Sequence, residues 1–333
     1  MLNSAWTIAM ILNAHLPTTL VKAVDDLKHG EIVALPTETV YGLAADATNG
    51  KAVAKVFAAK GRPTFNPLIC HVSSVEMAKS FAEFNGIETN LLAHFWPGPL
   101  TIVASRKSGS RLHELVTAGL DTVAVRMPIG LTRDIISELD RPIAAPSANR
   151  SGHISPTSAA AVSASLGPEV GLVVDGGECP IGIESTIVRV VGHTIHLLRP
   201  GGITIEQLEA ATGLTVVMPS AGGSVVAPGQ LKSHYAPAAK VRLNAISLEE
   251  GEAFLGFGSV HRSEQPAVFR NLSETGDLHE AAANLFRMLN ELDQMNPEVI
   301  AVSPIPNEGL GVAINDRLAR AAAPRDAVKN QMT

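Results

Sequence analysis

The sequence predicts an α/β protein with a mixed, twisted open sheet flanked by helices, followed by a second and smaller α/β domain. Three observations carry this expectation. Short apolar strand-like runs alternate with helix-like runs from residue 17 to about 217, which is the mark of a helix-covered sheet. Two β-rich stretches between Ser185 and Arg199 flank Gly192-His193, a hairpin signal that breaks a purely parallel pattern. After residues 219–237, which are rich in Gly, Pro, Ser and Ala and lack helical period, the alternation resumes. A length of 333 residues also exceeds what one hydrophobic core usually serves.

Taken in order, residues 1–16 hold an apolar stretch without the basic start or the small-residue cleavage site of a signal peptide, and no element is assigned to them. Residues 31–35 read as a strand ended by Pro36. Asn49 is placed to cap a helix over residues 51–60, with Gly61 as its stop. Residues 68–72, 100–104, 122–127, 143–145 and 172–174 read as further buried strands of ordinary short length. In the second domain, strands are expected at 240–243, 253–257 and 299–302, and helices at about 277–292 and 311–322. The expected division is therefore 1–217, a linker at 218–238, and 239–333. The linker is long for an idle connector and carries His234 and Tyr235, which suggests a working segment.

Composition narrows the function classes. Hydrophobic residues at 46% and charged residues at 17% describe an ordinary globular chain. A formal charge of -6 argues against a protein whose main task is gripping a nucleic-acid backbone. Cys70 and Cys179 lie outside any C-x-x-C, so neither a disulfide framework nor a cysteine zinc site is expected, and a cytoplasmic location follows. No stretch approaches the roughly 20 apolar residues of a membrane-spanning helix. A P-loop is excluded because Gly50-Lys51 is followed by Ala52 and lacks the upstream glycine. The Gly256-Phe257-Gly258 and Gly309-Leu310-Gly311 triplets lack a third glycine and read as turns. There is no G-x-S-x-G elbow, no H-E-x-x-H and no tight acidic cluster, so no metal site is expected.

Five polar segments fall where strands end or helices begin, the place where α/β sheets bind ligands. In Pro36 to Leu43, hydroxyls and a carboxylate follow a buried strand; a turn with capping hydroxyls and a ligand site explain it equally well. In Lys60 to Leu68, two cations separated by one glycine suit a phosphate chain, Arg62 as a fork and Lys60 as a point charge. Lys60 alone is also what a helix C-terminus attracts. His71 alternates with Ile69, so it is either a core histidine or a ligand group. Thr122, Ala124 and Arg126 share one strand face, and a buried arginine must meet either a protein carboxylate or that of a substrate. Residues 145–152, with Ser155 beyond, offer small side chains and close backbone amides to anionic oxygens. Residues 182–188 lead into the hairpin that ends in Leu198-Arg199-Pro200-Gly201.

With these segments in this order, the chain resembles the YrdC-like family, and in particular its longer members, the threonylcarbamoyl-AMP synthases with an extra C-terminal domain. PTETVYGL (36–43), KGRPTFNPL (60–68), WPGPLT (96–101), TVAVRMP (122–128), APSANRSG (145–152), ESTIV (184–188), LRPG (198–201) and KSHYAP (232–237) match collinearly over nearly the whole chain. One departure is Arg189, where many relatives carry an acidic residue; its alternation with Ile187 suggests an exposed strand face.

The resemblance implies a YrdC-like sheet with a Rossmann-like C-terminal domain. It implies a nucleotidyl transfer in which L-threonine, bicarbonate or CO2, and ATP give threonylcarbamoyl-AMP and pyrophosphate, the first step of a tRNA modification. By this resemblance Thr39, His71, Arg126, Ala145 and Ser185 bind threonine, Ala145 through its backbone. Lys60, Arg62, Asn66, Thr122, Ala145, Ser147, Ser155, Arg199 and Tyr235 bind ATP. Lys60 and Arg62, with Arg199, suppress repulsion between carbamate and phosphate and stabilise the charged transition state. Mg²⁺ arrives on the triphosphate. Implied partners are the downstream threonylcarbamoyl transferases and a weak contact with tRNA, with no membrane. Residues 228–237 would cross the cleft mouth as a lid.

Two rivals compete with this reading. A carbamoyl-adenylating domain of the hydrogenase-maturation type comes in much larger chains with zinc-finger cysteines. An RNA-binding module would use the basic cleft, but the acidic charge and 4% aromatic content disfavour stacking platforms.

Overall fold

The computed structural model describes residues 9–218, 228, 233–259 and 268–324. The first half runs β1 (Met10–Asn13), α1 (Pro17–Lys28), β2 (Val33–Leu35), β3 (Gly42–Asp46), α2 (Gly50–Lys60), β4 (Ile69–His71), α3 (Val75–Lys79), β5 (Ala82–Glu83), α4 (Gly86–Phe95), β6 (Leu100–Arg106), α5 (Glu114–Thr117) and β7 (Thr122–Arg126). It continues through α6 (Leu131–Leu139), β8 (Ile143–Ala144), α7 (Ala159–Leu166), β9 (Leu172–Asp175), β10 (Thr186–Val191), β11 (Thr194–Arg199), α8 (Ile205–Thr212) and β12 (Val216–Val217). The remainder is β13 (Lys240–Arg242), β14 (Ala253–Gly256), β15 (Phe269–Asn271), α9 (Leu278–Asp293), β16 (Val299–Val302) and α10 (Gly311–Ala322).

Strands β1 to β12 form one sheet in the order β1-β9-β2-β3-β8-β4-β7-β6-β10-β11-β12, with β5 added on β6. The sheet is mixed: β4 runs parallel to β7, whereas β6 and β7 are antiparallel. The expected hairpin forms from β10 and β11, with Gly192-His193 as its turn and Gly192 at φ +61°, a left-handed value that glycine adopts without strain. Arg189 is half-buried opposite His196 in this hairpin rather than freely exposed. The Asn49 cap is as expected, its side chain accepting from the Lys51 and Ala52 amides, and Gly61 ends α2 in the left-handed region.

Side chains alternate between the two faces of the sheet. One face carries the largest core, in which Cys70, Val123, Val125, Ile102 and Val188 pack beneath α2 and α4 residues such as Val53, Val56 and Leu91. On the other face α1 and α6 pack with β1, β2, β3, β8 and β9. Over β4, β7, β6 and β10 that face holds a small cluster, Ile69, Val103, Ala124 and Ile187, with no helical residue in it. This uncovered patch is where the site lies.

The second sheet is wholly parallel, in the order β13-β16-β14-β15. Its core, which includes Leu255, Ile300, Leu285, Phe286 and Ile314, is shared with Val40, Ile183 and Tyr235 from the preceding chain. Gly182 seats this contact. At φ +73° it packs so closely on α9 that a Cβ would lie 2.5 Å from the Ala282 carbonyl oxygen and the Ala283 Cα.

The unassigned start contributes β1, which pairs in parallel with β9. It escaped sequence reading because Met10 and Ile11 are about half exposed, so no buried alternation marks the strand. The two- or three-residue strands β5, β12 and β15 are too short to show a period.

Candidate functional site

A small cavity, about 50 Å³ and partly open to solvent, lies on the uncovered face and is lined by residues from all five polar segments and from the 228–237 stretch. The register of β4 against β7 sets His71 beside Arg126, and both line the cavity. Arg126 is 4% exposed; its Nη2 pairs with Glu38 Oε1 at 2.7 Å and its Nε donates to the Gly98 carbonyl at 3.3 Å. The buried arginine therefore has a protein carboxylate, which the Ile129 amide also holds, donating to Glu38 Oε2. His71 Nδ1 lies 3.2 Å from the Ile69 carbonyl oxygen. Burial first, and Arg126 second, push the imidazole down to about 3, so it is neutral at physiological pH.

Thr37 and Thr39 divide their labour. Thr37 lines the cavity, and its Oγ1 lies 2.8 Å from that of Thr39 and 2.7 Å from the Val40 carbonyl oxygen. Thr39 is fully buried behind it and is not among the lining residues.

Lys60 and Arg62 also separate. The Lys60 ammonium donates to the Ser147 and Asn149 carbonyls, so it anchors the 145–152 loop from behind instead of lining the cavity. Burial, then the Arg62 charge, pull it well below the ordinary lysine range. Arg62 does line the cavity. Its Nη2 donates to Asn66 Oδ1 at 2.7 Å and to the Pro67 carbonyl at 2.8 Å, and burial lowers it to about 10. Asn66 thus holds Arg62 and does not itself line the space.

The hairpin supplies the third arginine. Arg199 donates through Nη2 to the Ser185 carbonyl at 2.9 Å and Oγ at 3.1 Å, while Thr101 Oγ1 lies 2.7 Å from Ser185 Oγ. Gly201 permits this closeness, because a Cβ there would lie 2.4 Å from the backbone of Glu184, Ser185 and Thr186. Ala145 and Ser147 line the opposite wall. Ser155 is fully buried and donates to Glu184 Oε1 at 2.5 Å, so it reaches the cavity only through Glu184. Thr122 opens β7 at the end remote from Arg126, opposite Ser105, about 13 Å away along the strand. It shares the cavity-side face but is not a lining residue.

Pro228, His234 and Tyr235 complete the wall; the rest of the proposed lid, 219–227 and 229–232, lies outside the described residues. Among the described residues the Tyr235 hydroxyl and His234 Nδ1 have no hydrogen-bond partner. Such buried atoms are costly unless satisfied. Burial, with Arg62, Lys60, Arg199 and Arg317 around it, holds His234 well below its usual range and neutral.

Thr37, Glu38, Glu184 and His234 lie within the polar segments but carry no local sign that their side chains turn toward the site. Arg317 carried no signal at all: it meets Glu184 from a position 133 residues away.

Three guanidinium groups, a neutral histidine and a buried serine converging on one cavity suit a ligand with two anionic groups. A family model described as telomere recombination, the Sua5/YciO/YrdC model, matches residues 25–201. The chain belongs to this family. A second model, described as the threonylcarbamoyl-AMP synthase C-terminal domain, matches residues 203–323 of this Sua5/YciO/YrdC member. The chain is 40% identical to the threonylcarbamoyl-AMP synthase of Pyrococcus abyssi, over 90% of this chain and 92% of that one. It is 38% identical to the Bacillus subtilis enzyme of the same name, over 90% and 91%. The crystal structure of P. abyssi Sua5 complexed with L-threonine superimposes with a TM-score of 0.85 at 36% identity, covering 94% of this chain and 98% of that chain. Full-length HypF, in a phosphate- and nucleotide-bound form, matches at a TM-score of 0.51 and 20% identity over 56% of this chain; that likeness is one of fold alone.

Proposed function

We propose that this chain is a threonylcarbamoyl-AMP synthase, making threonylcarbamoyl-AMP and pyrophosphate from L-threonine, bicarbonate or CO2, and ATP as the first step of a tRNA modification. The observation that carries the reading is the convergence of Arg62, Arg126 and Arg199 on one cavity with His71 and Ser185, in a chain whose relatives of that name match it over 90% of its length.

The chemistry follows from charge. The amine of threonine and bicarbonate form a carbamate with loss of water. A carbamate oxygen then attacks the α-phosphorus of ATP, a P–O bond forms, the bond to the β-phosphate bridging oxygen breaks, and pyrophosphate leaves. Both reactants are anions, so the chief task is to hold them together and offset their repulsion. On this reading Arg126 and Ser185 receive threonine with the neutral His71 and the Ala145 backbone, and Thr39 acts by orienting Thr37. Arg62, held by Asn66, and Arg199 face the phosphates, with Ser147 and Tyr235 beside them. Lys60 and Ser155 act one layer back, through the 145–152 loop and Glu184. Thr122, farther out on the same face, meets the remote end of the nucleotide. Mg²⁺ enters on the triphosphate, keeping most of its waters.

Residues 1–217 form the catalytic part, 218–238 the lid, and 239–333 the part that secures it. The product passes to threonylcarbamoyl transferases, with a weak tRNA contact, in the cytoplasm. No helix among the described residues is long and apolar enough to cross a membrane. The deciding experiment is pyrophosphate release from ATP, with threonine and bicarbonate omitted in turn. Both are required if the reading is right; release indifferent to threonine refutes it.

A further inference from the structure

Arg317 lies in α10, on the second sheet's side of the molecule, yet it is 1% exposed and spends its guanidinium on the site. Its Nε donates to Glu184 Oε2 at 2.7 Å and its Nη2 to the Pro200 carbonyl at 2.9 Å. Its Nη1 meets Asp316 at 2.7 Å, and its guanidinium carbon stands 5.1 Å from the centre of the Tyr235 ring. One side chain thereby ties the 184–188, 198–201 and 232–237 segments together. Only a planar fork that can also face an aromatic ring makes this set of contacts, and a lysine ammonium does not.

Seating one part of the molecule on the other does not call for such a group. Val40, Ile183 and Tyr235 already bury apolar surface against α9 and α10, and a buried ion pair is a poor source of stability compared with apolar packing. What Arg317 does that a leucine could not is answer a charge. Glu184 is a cavity-lining carboxylate, close enough to Arg199 that each shifts the other's ionisation. Uncompensated, it would repel a triphosphate and draw Arg199 away from it. Burial pushes the Glu184 carboxyl up, but Arg317, Arg199 and the Ser155 hydroxyl outweigh burial and hold it below the ordinary range. It is therefore an anion that must be neutralised.

We propose that Arg317 is a positioning residue for the nucleotide half of the site, cancelling the Glu184 charge and fixing Ser155 and the Tyr235 ring so that Arg199 and Arg62 are left to the phosphates. The inference rests on the nucleotide assignment proposed above. It predicts unequal effects on the two substrates, because Arg317 contacts Glu184, Pro200 and the Tyr235 ring, whereas Arg126, placed on the threonine side, is paired by Glu38.

The test compares the unaltered chain with Arg317→Met and Arg317→Lys, each alone and combined with Glu184→Gln. Binding of a non-hydrolysable ATP analogue and of threonine is measured by calorimetry, together with KM for each in pyrophosphate release. Arg317→Met should weaken ATP by about tenfold or more while threonine moves by less than about twofold. Adding Glu184→Gln should recover most of the ATP loss, since it removes the charge left unanswered. Arg317→Lys, which keeps the charge and is expected to fold, should show the same ATP-selective loss at roughly threefold or more. A melting curve accompanies each variant; where Arg317→Met lacks a native transition, the lysine variant decides. Equal losses for both substrates, no ATP loss in the lysine variant, or a Glu184→Gln change that deepens the defect overturns the proposal. Threonine-dependent release by the unaltered chain tests the underlying reading separately, so failure there is distinct from failure here.

Discussion

Arg126 shows how one residue can answer two demands. Its buried guanidinium meets Glu38 at 2.7 Å and the Gly98 carbonyl, so the protein itself supplies partners for the cation, and on the proposed reading a substrate carboxylate would join an existing pair. A lysine at this position would keep the charge against Glu38 but lose the fork that receives a carboxylate edge-on. Arg126→Lys is therefore expected to raise the threonine KM by about tenfold or more and leave the ATP KM within about twofold, as read from initial rates with each substrate varied. Equal changes in both constants would remove Arg126 from the threonine side.

At the scale of elements, the β10–β11 hairpin works as a bracket. Its return strand delivers Arg199 to Ser185, and the following Gly201 lets the chain pass within contact of residues 184–186. Because a Cβ at Gly201 would meet three backbone atoms of residues 184–186 at 2.4 Å, no side-chain rotation relieves the clash. Gly201→Ala should cost about 1–3 kcal/mol of stability by urea titration, and pyrophosphate release should fall even under conditions where the variant is fully folded. Full activity in the folded variant would mean that the Arg199–Ser185 geometry does not matter. The helices are simpler: Asn49 caps α2, and Asn85 with Glu88 forms a capping box on α4, local devices that fix where each begins.

Across the whole molecule, the second sheet matters because its helices touch the site from outside the sheet that bears it. Phe286 of α9 packs on Tyr235 with ring centres 5.4 Å apart, Arg317 of α10 reaches Glu184, and Gly182 sits against the α9 backbone. Gly182→Ala combines a left-handed backbone with a 2.5 Å approach, so α9 must move. The expected outcome is faster amide hydrogen exchange in α9 and weaker ATP binding, while β6 and β7 keep their protection. Unchanged exchange in α9 would show that this seat is not what holds the two parts together.

Part of the order of elements was readable from the residues alone, and most of the site's membership from the family resemblance that their motifs carry. Asn49, Gly61, Gly192-His193 and the bounds of α10 are local signals, legible because caps and turns depend on a few neighbouring residues. Arg62, His71, Arg126, Ala145, Ser147, Ser185, Arg199 and Tyr235 were marked by collinear motifs, and the structure brings all of them to one cavity. Depth within the site was not readable. That Lys60, Asn66 and Ser155 stand a layer behind, that Thr37 lines the space in place of Thr39, and that Glu184 joins it while Glu38 and Arg317 pair with lining residues are facts of packing across distant segments. The sequence by itself determined which groups carry charge and where strands and helices begin, because those depend on side-chain chemistry and near neighbours. Only the tertiary structure decided which charges face the cavity and which face one another, because strand register, the direction of each side chain and the seating of α9 and α10 bring together residues that no local signal links.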